Sequence, residues 1–268
     1  MKMNLLKLLG LFLVLGLSTA VFYSCNKNDD DDDNGGSSGN ASRITATNVI
    51  NGSTQITTVK AFADWYGYGW REDVIAQAQY KNNGFTLELP ETLSAKYLEE
   101  IDEIEEFSVS DKNAKIYLFE DIRGYDKFEN EIGYFYLGEE NDDSSHYTYS
   151  SHYACWMYAD GDVTIVGEYK YIDEYYNYKY DDYEYDDYTN RRDLRLKKGW
   201  NVVYESYIQN YKNGRYVRTF TLTSQKPSGV NYSWVFYDDY DLRSAKATTK
   251  SVKNIKSIFS KSKKDRKK

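Results

Sequence analysis

Four aromatic residues lie within one six-residue stretch of the chain, at Trp65, Tyr66, Tyr68 and Trp70. The glycines between them disfavour a regular strand, so the stretch is predicted to be a loop. Such flat rings suit sugar binding, because the apolar faces of sugars stack on them while nearby charged groups hydrogen-bond to hydroxyls. Two alternatives remain: the tryptophans fold back to cap the core, since each aromatic side chain buries about 150 to 250 Å², or the rings form a protein interface.

A second candidate surface is the stretch of residues 169 to 188, which holds nine tyrosines and seven acidic residues. Tyr176, Tyr178 and Tyr180 alternate, which predicts a ladder of tyrosines along one face of a strand. The carboxylates that crowd together after them are Asp181, Asp182, Glu184, Asp186 and Asp187. Three interpretations are open: a long projecting hairpin that recognises a partner, a calcium site, because Ca²⁺ takes about six to eight oxygen ligands, or a solvated low-complexity insertion.

Motifs for catalysis or metal binding are absent from the sequence. Cys155 lies in an apolar run, and His152, three residues earlier on the same predicted strand, falls on the opposite face. The thiol is therefore predicted to be buried and inert. The chain has two histidines and contains no nucleophile elbow, phosphate loop or paired-cysteine zinc motif. We predict no catalytic residue and no metal ligand, with a pair of carboxylates that cleaves glycans as a weaker alternative.

Cys25 offers a different chemistry, the attachment of lipid. Lysines near the start precede an apolar run at residues 8 to 17, as in a secretory signal. That run is shorter than the roughly 20 residues of a membrane-spanning helix. Ser24 directly precedes Cys25, while the bulky Phe22 is poorly suited to an ordinary signal peptidase. The pattern favours a lipoprotein-type peptidase that cuts before Cys25.

The residues after Cys25 are Asn26, Lys27 and Asn28 and then five aspartates, and this segment resembles the lipobox and acidic export signal of Bacteroidetes surface lipoproteins. Residues 80 to 92 and 196 to 204 likewise resemble stretches of uncharacterised lipoproteins of that group. The resemblance implies a mature protein that begins at Cys25, is acylated there, and is held in the outer membrane facing the cell exterior. Several acyl chains make a stable anchor, because each buried CH₂ adds about 0.8 kcal/mol.

Composition divides the chain into four parts. Residues 1 to 24 are the predicted signal peptide, and residues 25 to 42 are the lipidated cysteine with an acidic, Gly/Ser-rich tether. Residues 43 to 243 form one predicted domain with 21 Lys and Arg against 36 Asp and Glu, which argues against a nucleic-acid ligand. Residues 244 to 268 form a basic tail that is predicted to be disordered.

Turn and strand patterns predict the fold of the domain. Asn-Gly and Asp-Gly pairs, which favour type I′ hairpin turns, occur between alternating or β-branched runs. These pairs are Asn51-Gly52, Asn83-Gly84, Asp160-Gly161 and Asn213-Gly214. Further strands are predicted at residues 114 to 119, 132 to 137, 200 to 207 and 230 to 237. With one or two helical turns at residues 94 to 101, the prediction is an all-β fold, an antiparallel β-sandwich with one short helix and a Tyr/Asp-rich insertion.

These patterns predict a non-enzymatic, lipid-anchored surface protein that binds a glycan or a host or partner protein. A structural or accessory subunit of a surface complex, with no ligand of its own, is the alternative. The predicted partners are the membrane, through the anchor, and a glycan or protein. No cofactor is predicted apart from the calcium alternative at residues 169 to 188.

Overall fold

The described part of the chain is built almost entirely of β-strands. The structure is a computed structural model, and it describes residues 41–67, 69–101, 106–143, 145–177 and 182–238. The strands are β1 (Arg43–Ala46), β2 (Thr58–Gly67), β3 (Gly69–Gln79), β4 (Phe85–Glu88), β5 (Glu99–Glu100), β6 (Phe107–Val109), β7 (Lys115–Phe119), β8 (Ile122–Tyr125), β9 (Glu131–Asp143), β10 (Thr148–Ala159), β11 (Val163–Asn177), β12 (Asp182–Leu196), β13 (Gly199–Lys212), β14 (Arg215–Thr223) and β15 (Ser233–Asp238). The predicted signal peptide, Cys25 and the basic tail lie outside the described residues.

The strands form a sandwich-like arrangement of two half-sheets, so the predicted all-β sandwich is confirmed. β1 and β4 make a small separate sheet, while the other strands of the described chain belong to one large sheet. β9 joins the two halves of the large sheet, because its first part pairs with β8 and its last part pairs with β10. The large sheet is mixed rather than purely antiparallel, since β12 and β14 run parallel.

The half-sheet with the order β7, β10, β13, β14, β12, β11, β6 curls round on itself. Its end strands are six spacings apart, which is about 29 Å in a flat sheet. In the chain, however, β6 ends at Val109 and β7 begins at Lys115, and this six-residue step reaches at most about 22 Å. The half-sheet must therefore bend until its ends approach each other. Backbone hydrogen bonds of 3.0 Å from Asp160 to Lys115 and from Ser110 to Thr164 fasten this connection.

We call the enclosed side of this half-sheet the inner face. β10 separates the two hydrophobic cores of the protein, because its side chains alternate between the inner face and the sandwich interface. Trp156 enters the first core, between the half-sheets, and stacks with Trp234 at a ring-centroid distance of 6.0 Å. Cys155 and Met157 enter the second core, on the inner face. Burial on both sides explains why every residue from Ala154 to Ala159 is buried.

Only part of the predicted turn pattern is correct. Asn213 and Gly214, with φ of +53° and +83°, connect the paired strands β13 and β14, so this hairpin is confirmed. The other three predicted hairpins, Asn51-Gly52, Asn83-Gly84 and Asp160-Gly161, are wrong. Their flanking strands find different partners: β1 pairs with β4, β10 with β13, and β11 with β12. A tight turn with positive φ at Asn82 and Asn83 does follow β3, but it leads into the small sheet.

Two further predictions are confirmed. The helical segment is a single 3₁₀ turn at Ala95–Tyr97. The long hairpin, one of the three interpretations of residues 169 to 188, is formed by β11 and β12, which pair from Val163 with Leu196 to Asn177 with Asp182. Recognition of a partner by this hairpin stays a prediction. Residues 178 to 181 lie outside the described part of the chain. No helix among the described residues is both long and apolar enough to span a membrane.

Gly167 gives a test of how β6 closes onto β11. A Cβ atom at Gly167 would lie 2.2 Å from the carbonyl oxygen of Glu106 and 2.6 Å from the Phe107 ring. We expect Gly167→Ala to lower the free energy of unfolding by about 1 to 3 kcal/mol, as other overpacked sites do. The control is Gly161→Ala, where a Cβ meets no atom within 4 Å and the change should stay below about 0.5 kcal/mol. Urea unfolding measures both variants, and equal stabilities would contradict this packing.

Candidate functional site

The inner face carries cross-strand rows of side chains, because residues paired directly across a sheet project from the same face. The rows beyond the second core are Tyr153–Glu205–Leu222–Arg192–Gly167, Ser151–Tyr207–Phe220–Asn190–Tyr169, Tyr149–Gln209–Arg218–Tyr188–Tyr171 and Tyr211–Tyr216–Asp186–Asp173. The exposed side chains of these rows lie in the last two, where Tyr171 is 37% and Tyr211 47% exposed, whereas Cys155 in the core is 6% exposed. We call the last two rows the open end.

Tyrosine rings at the open end stack on one another. Tyr171 and Tyr188 lie almost parallel, with centroids 4.8 Å apart and an interplanar angle of 4°. Tyr169 continues the stack at 5.4 Å from Tyr171. Burial raises the pKa of Tyr171 to about 12, with a smaller contribution from Tyr188, so its hydroxyl stays neutral and can donate a hydrogen bond at physiological pH. The stack therefore groups three aromatic rings beside the polar groups of the open end.

Arg218 is the charged centre of the open end. Its guanidinium donates hydrogen bonds to the carboxylate of Asp186 and the hydroxyl of Tyr188, and its Nε donates to Oε1 of Gln209 at 2.9 Å. The cation lies 5.2 Å from the ring centroid of Tyr188 and 5.1 Å from that of Tyr216. Asp186 is only 2% exposed, and burial raises the pKa of its carboxyl although the charge of Arg218 opposes the rise. This network fixes the orientation of the polar groups.

Buried polar side chains lie deeper on the inner face, in the two rows between the open end and the core. Ser151, Asn190, Arg192 and Glu205 are all buried. Oδ1 of Asn190 accepts no hydrogen bond from the described residues. A buried acceptor that lacks a partner costs about 1 to 3 kcal/mol, so this atom marks a position for a water molecule or a polar ligand group.

A groove of about 550 Å³ lies along the ends of three neighbouring strands. Its lining includes Tyr149 and Gln209, which belong to the same row as Arg218, and residues at the ends of β9, β10 and β13. The other lining groups are mainly polar, with Asp143 and His152 among them. Most of the lining side chains, such as Ser150, His152 and Ile208, project from the face opposite the inner face, so the groove is separate from the stacked tyrosines.

The predicted aromatic loop at residues 65 to 70 is instead a hairpin. β2 and β3 stay paired up to Gly67 and Gly69, so the prediction that these glycines break the strands is wrong. Trp65 and Trp70 are five residues apart around this hairpin, and the register places them on opposite faces. The two tryptophans therefore do not form one flat binding surface. Tyr68 and the side chain of Tyr66 lie outside what the structure describes.

Trp65 packs against the first core, as the core-capping alternative expects. Its Nε1 donates to Oδ2 of Asp73 at 2.8 Å, and Nζ of Lys96 lies 5.0 Å from its ring centroid. Trp70, in contrast, is 67% exposed. The role of Trp70 in binding stays a prediction.

The acidic residues proposed as a calcium site diverge where they are described. Asp186 pairs with Arg218 on the inner face, whereas Asp187 lies on the opposite face and pairs with Arg215 at 3.2 Å. These two carboxylates therefore do not converge on one cation. Asp181 and the side chains of Asp182 and Glu184 lie outside the described residues.

Cys155 is buried and is separated from His152, as predicted. Nδ1 of His152 lies 2.8 Å from Oγ of Ser206 on the face opposite the thiol. Burial raises the pKa of the Cys155 thiol well above its usual value. Glu120 and Glu205 approach this thiol, with one ligand atom of each of the three residues lying within 4.8 Å of the others. Glu205 is only 3% exposed, so a sugar ring does not reach its carboxyl in this conformation.

Sequence reasoning missed most of the open end. Tyr216, Arg218 and Phe220 alternate along β14, which shows that they share a face but not whether that face is inside. Asn190 and Gln209 carried no motif at all. The direction in which the half-sheet curls decides which face is enclosed, and no local pattern reports that direction.

Comparison of the chain with protein-family models, with curated proteins and with solved structures finds no match. The fold and the geometry of the inner face are therefore the basis for the functional argument.

Removal of Arg218 tests the electrostatics of the open end. Arg218→Met would leave the buried carboxylate of Asp186 without its cation. We expect the free energy of unfolding to fall by about 3 kcal/mol. This is the low end of the range for breaking a buried ion pair, because Arg218 keeps some exposure. The matched control is Arg215→Met on the same strand, whose pair with Asp187 is 44% and 39% exposed and should contribute less than about 1 kcal/mol.

Denaturant unfolding of both variants gives the comparison. Addition of Asp186→Asn to Arg218→Met should restore much of the loss, because the unpaired buried charge is then removed. Equal losses for Arg218→Met and Arg215→Met would show that Arg218 and Asp186 are solvated like a surface pair.

Proposed function

We propose that the β-domain is a non-catalytic glycan-binding module and that the open end of the inner face is its ligand site. The stacked rings of Tyr169, Tyr171 and Tyr188 are the observation that carries this proposal. A sugar ring that lies on the exposed part of this stack would bury its apolar face against the tyrosines. Sites at the mouth of an enclosed sheet are a common place for small ligands.

Polar groups beside the stack supply the hydrogen bonds that a sugar needs. The hydroxyl of Tyr171 can donate, and the unsatisfied Oδ1 of Asn190 can accept from a sugar hydroxyl or from a bridging water. The Arg218 network holds Gln209 and Tyr188 in fixed positions. Pre-organised groups of this kind lower the entropy lost when a ligand binds.

Charge favours a neutral glycan. Arg218, the cation at the centre of the open end, is already paired with Asp186. The domain as a whole carries 36 acidic against 21 basic residues at positions 43 to 243. A sugar carboxylate or sulfate would therefore meet net repulsion, and neutral hexoses are the ligand class that this site fits.

A glycan array on the purified mature chain, with and without calcium, tests this proposal. We expect a neutral oligosaccharide to bind and Tyr171→Ala to weaken it by about five- to tenfold, which corresponds to roughly 1 kcal/mol for one stacked ring. The matched control is Tyr185→Ala, because Tyr185 is 44% exposed on the same hairpin but projects from the other face. An equal loss in both variants would contradict the site.

A blank array would leave the accessory-subunit alternative. In that case a stoichiometric partner should co-purify with the lipidated protein, and the exposed tyrosines would serve as a protein contact. A neutral-glycan hit that is unaffected by Tyr171→Ala but abolished in a Trp65/Trp70 double alanine variant would move the site to the β2–β3 hairpin.

We further propose that lipid on Cys25 anchors this module on the outer face of the outer membrane, on the strength of the resemblance described above. Growth with labelled palmitate measures acylation directly. Cys25→Ala should abolish incorporation, whereas Cys155→Ala, which changes the other cysteine of the chain, should leave it intact. Label retained in Cys25→Ala would contradict the anchor.

A further inference from the structure

Three potential metal ligands converge on the inner face, next to the second core. They are Glu120, which follows β7, Cys155 on β10 and Glu205 on β13. The ligand atoms, two carboxylate oxygens and one sulfur, all lie within 4.8 Å of one another. Cys155 and Glu205 are 6% and 3% exposed, whereas Glu120 is half-buried. The convergence joins three strands that are neighbours in the sheet but far apart in sequence.

Register explains why these side chains meet. β7 pairs with β10 so that Leu118 faces Met157, and one more step of two residues brings Glu120 opposite Cys155 on the inner face. Glu205 pairs with Tyr153, the adjacent inner-face position on β10. The site is therefore held by sheet pairing rather than by a loop.

A second observation points to a bound cation. The Glu205 carboxyl is almost fully buried, and no Lys or Arg of the described residues forms an ion pair with it. Burial, and to a smaller extent the charge of Glu120, raise the pKa of its carboxyl. A buried carboxyl in this position needs a proton or a cation to offset its charge, and it lies against two further ligand atoms.

We propose that Glu120, Cys155 and Glu205 bind a Zn²⁺-class divalent cation, with one coordination position left for water. Thiolate sulfur excludes the hard cations Ca²⁺ and Mg²⁺, which take oxygen ligands. Zn²⁺ accepts cysteine sulfur together with carboxylate oxygens in a tetrahedral site. Sulfur and oxygen atoms up to 4.8 Å apart would have to approach one another by roughly 1 Å to meet Zn²⁺ at about 2.0 to 2.3 Å in a tetrahedron.

Binding would release the thiol proton of Cys155, so affinity should rise with pH. A cation would enter the site past Glu120, because this is the ligand of the three that is partly exposed to solvent. The cation would also offset the charge of Glu205, a buried carboxylate that pairs with no arginine of the described residues. Zn²⁺ at this depth would stabilise the curled half-sheet beneath the glycan site.

The test uses the full chain, stripped of metal with EDTA and refolded with or without Zn²⁺. We expect one Zn²⁺ per chain by calorimetry, and a rise in Tm of about 5 to 10 °C at a free Zn²⁺ concentration a hundredfold above Kd. Co²⁺ in place of Zn²⁺ should give a near-ultraviolet thiolate-to-cobalt charge-transfer band. That band reports sulfur coordination, which a merely structural role for the residues would not produce.

Variants assign the ligands. Cys155→Ser should remove the cobalt band, and the nearly isosteric Glu205→Gln should weaken Zn²⁺ binding by at least tenfold. The control is Glu88→Gln on the small sheet, whose carboxylate is 64% exposed in a surface pair with Arg43 and which should bind Zn²⁺ normally.

Two results would overturn the proposal. The first is a full chain whose Tm does not respond to Zn²⁺ and that shows no cobalt band, which would mean that Glu205 carries a proton only. The second is Zn²⁺ binding that persists unchanged in Cys155→Ser, which would place the metal elsewhere.

Discussion

The short connection between β6 and β7 is the constraint on which the rest of the structure depends. Six residues cannot reach across a flat half-sheet of seven strands, so the sheet curls and encloses one face. That enclosure lets apolar side chains such as Ile165 and Met157 become buried without a further sheet to cover them. The same closure brings β6 close to β12, with β11 between them. The Arg192 guanidinium lies 4.8 Å from the Phe107 ring centroid, because Gly167, which lies between them on β11, has no side chain.

The inner face has a closed end, next to the second core, and the open end, and these two ends carry different kinds of side chain. The closed end excludes water and holds the carboxyl of Glu205 beside the thiol of Cys155, a setting in which an uncompensated charge is unfavourable. The open end exposes stacked tyrosines around the pair of Arg218 and Asp186. A buried ion pair is weak evidence for stability, because an apolar pair of the same shape is often as stable. What the pair does in this structure is to fix the positions of the Gln209 and Tyr188 side chains.

The sequence predicts the class of fold well because that information is local. Alternating and β-branched runs indicate the strands, and Asn213 and Gly214 adopt the positive φ angles that a tight hairpin turn needs. It predicts pairing poorly, since Asp160-Gly161 looks like a hairpin turn while its flanking strands pair with distant partners. The aromatic stretch at residues 65 to 70 was visible by composition, and so was the part of the open end that lies within residues 169 to 188, whereas its residues on β10, β13 and β14 were not. The curl of the half-sheet places three further residues on the enclosed face, and only this position makes them candidates for a site. They are Arg218, Asn190 and Glu205.

The location of the ligand site is the central claim, and hydroxyl-radical footprinting read by mass spectrometry tests it most directly. This method labels exposed tyrosine and tryptophan side chains along the whole folded chain in one experiment. With a mixture of neutral glycans present, the account predicts protection of Tyr171 and Tyr211 at the open end and unchanged labelling of Tyr185 on the outer face. Protection confined to Trp70, with Tyr171 labelled as in the free protein, would contradict the account.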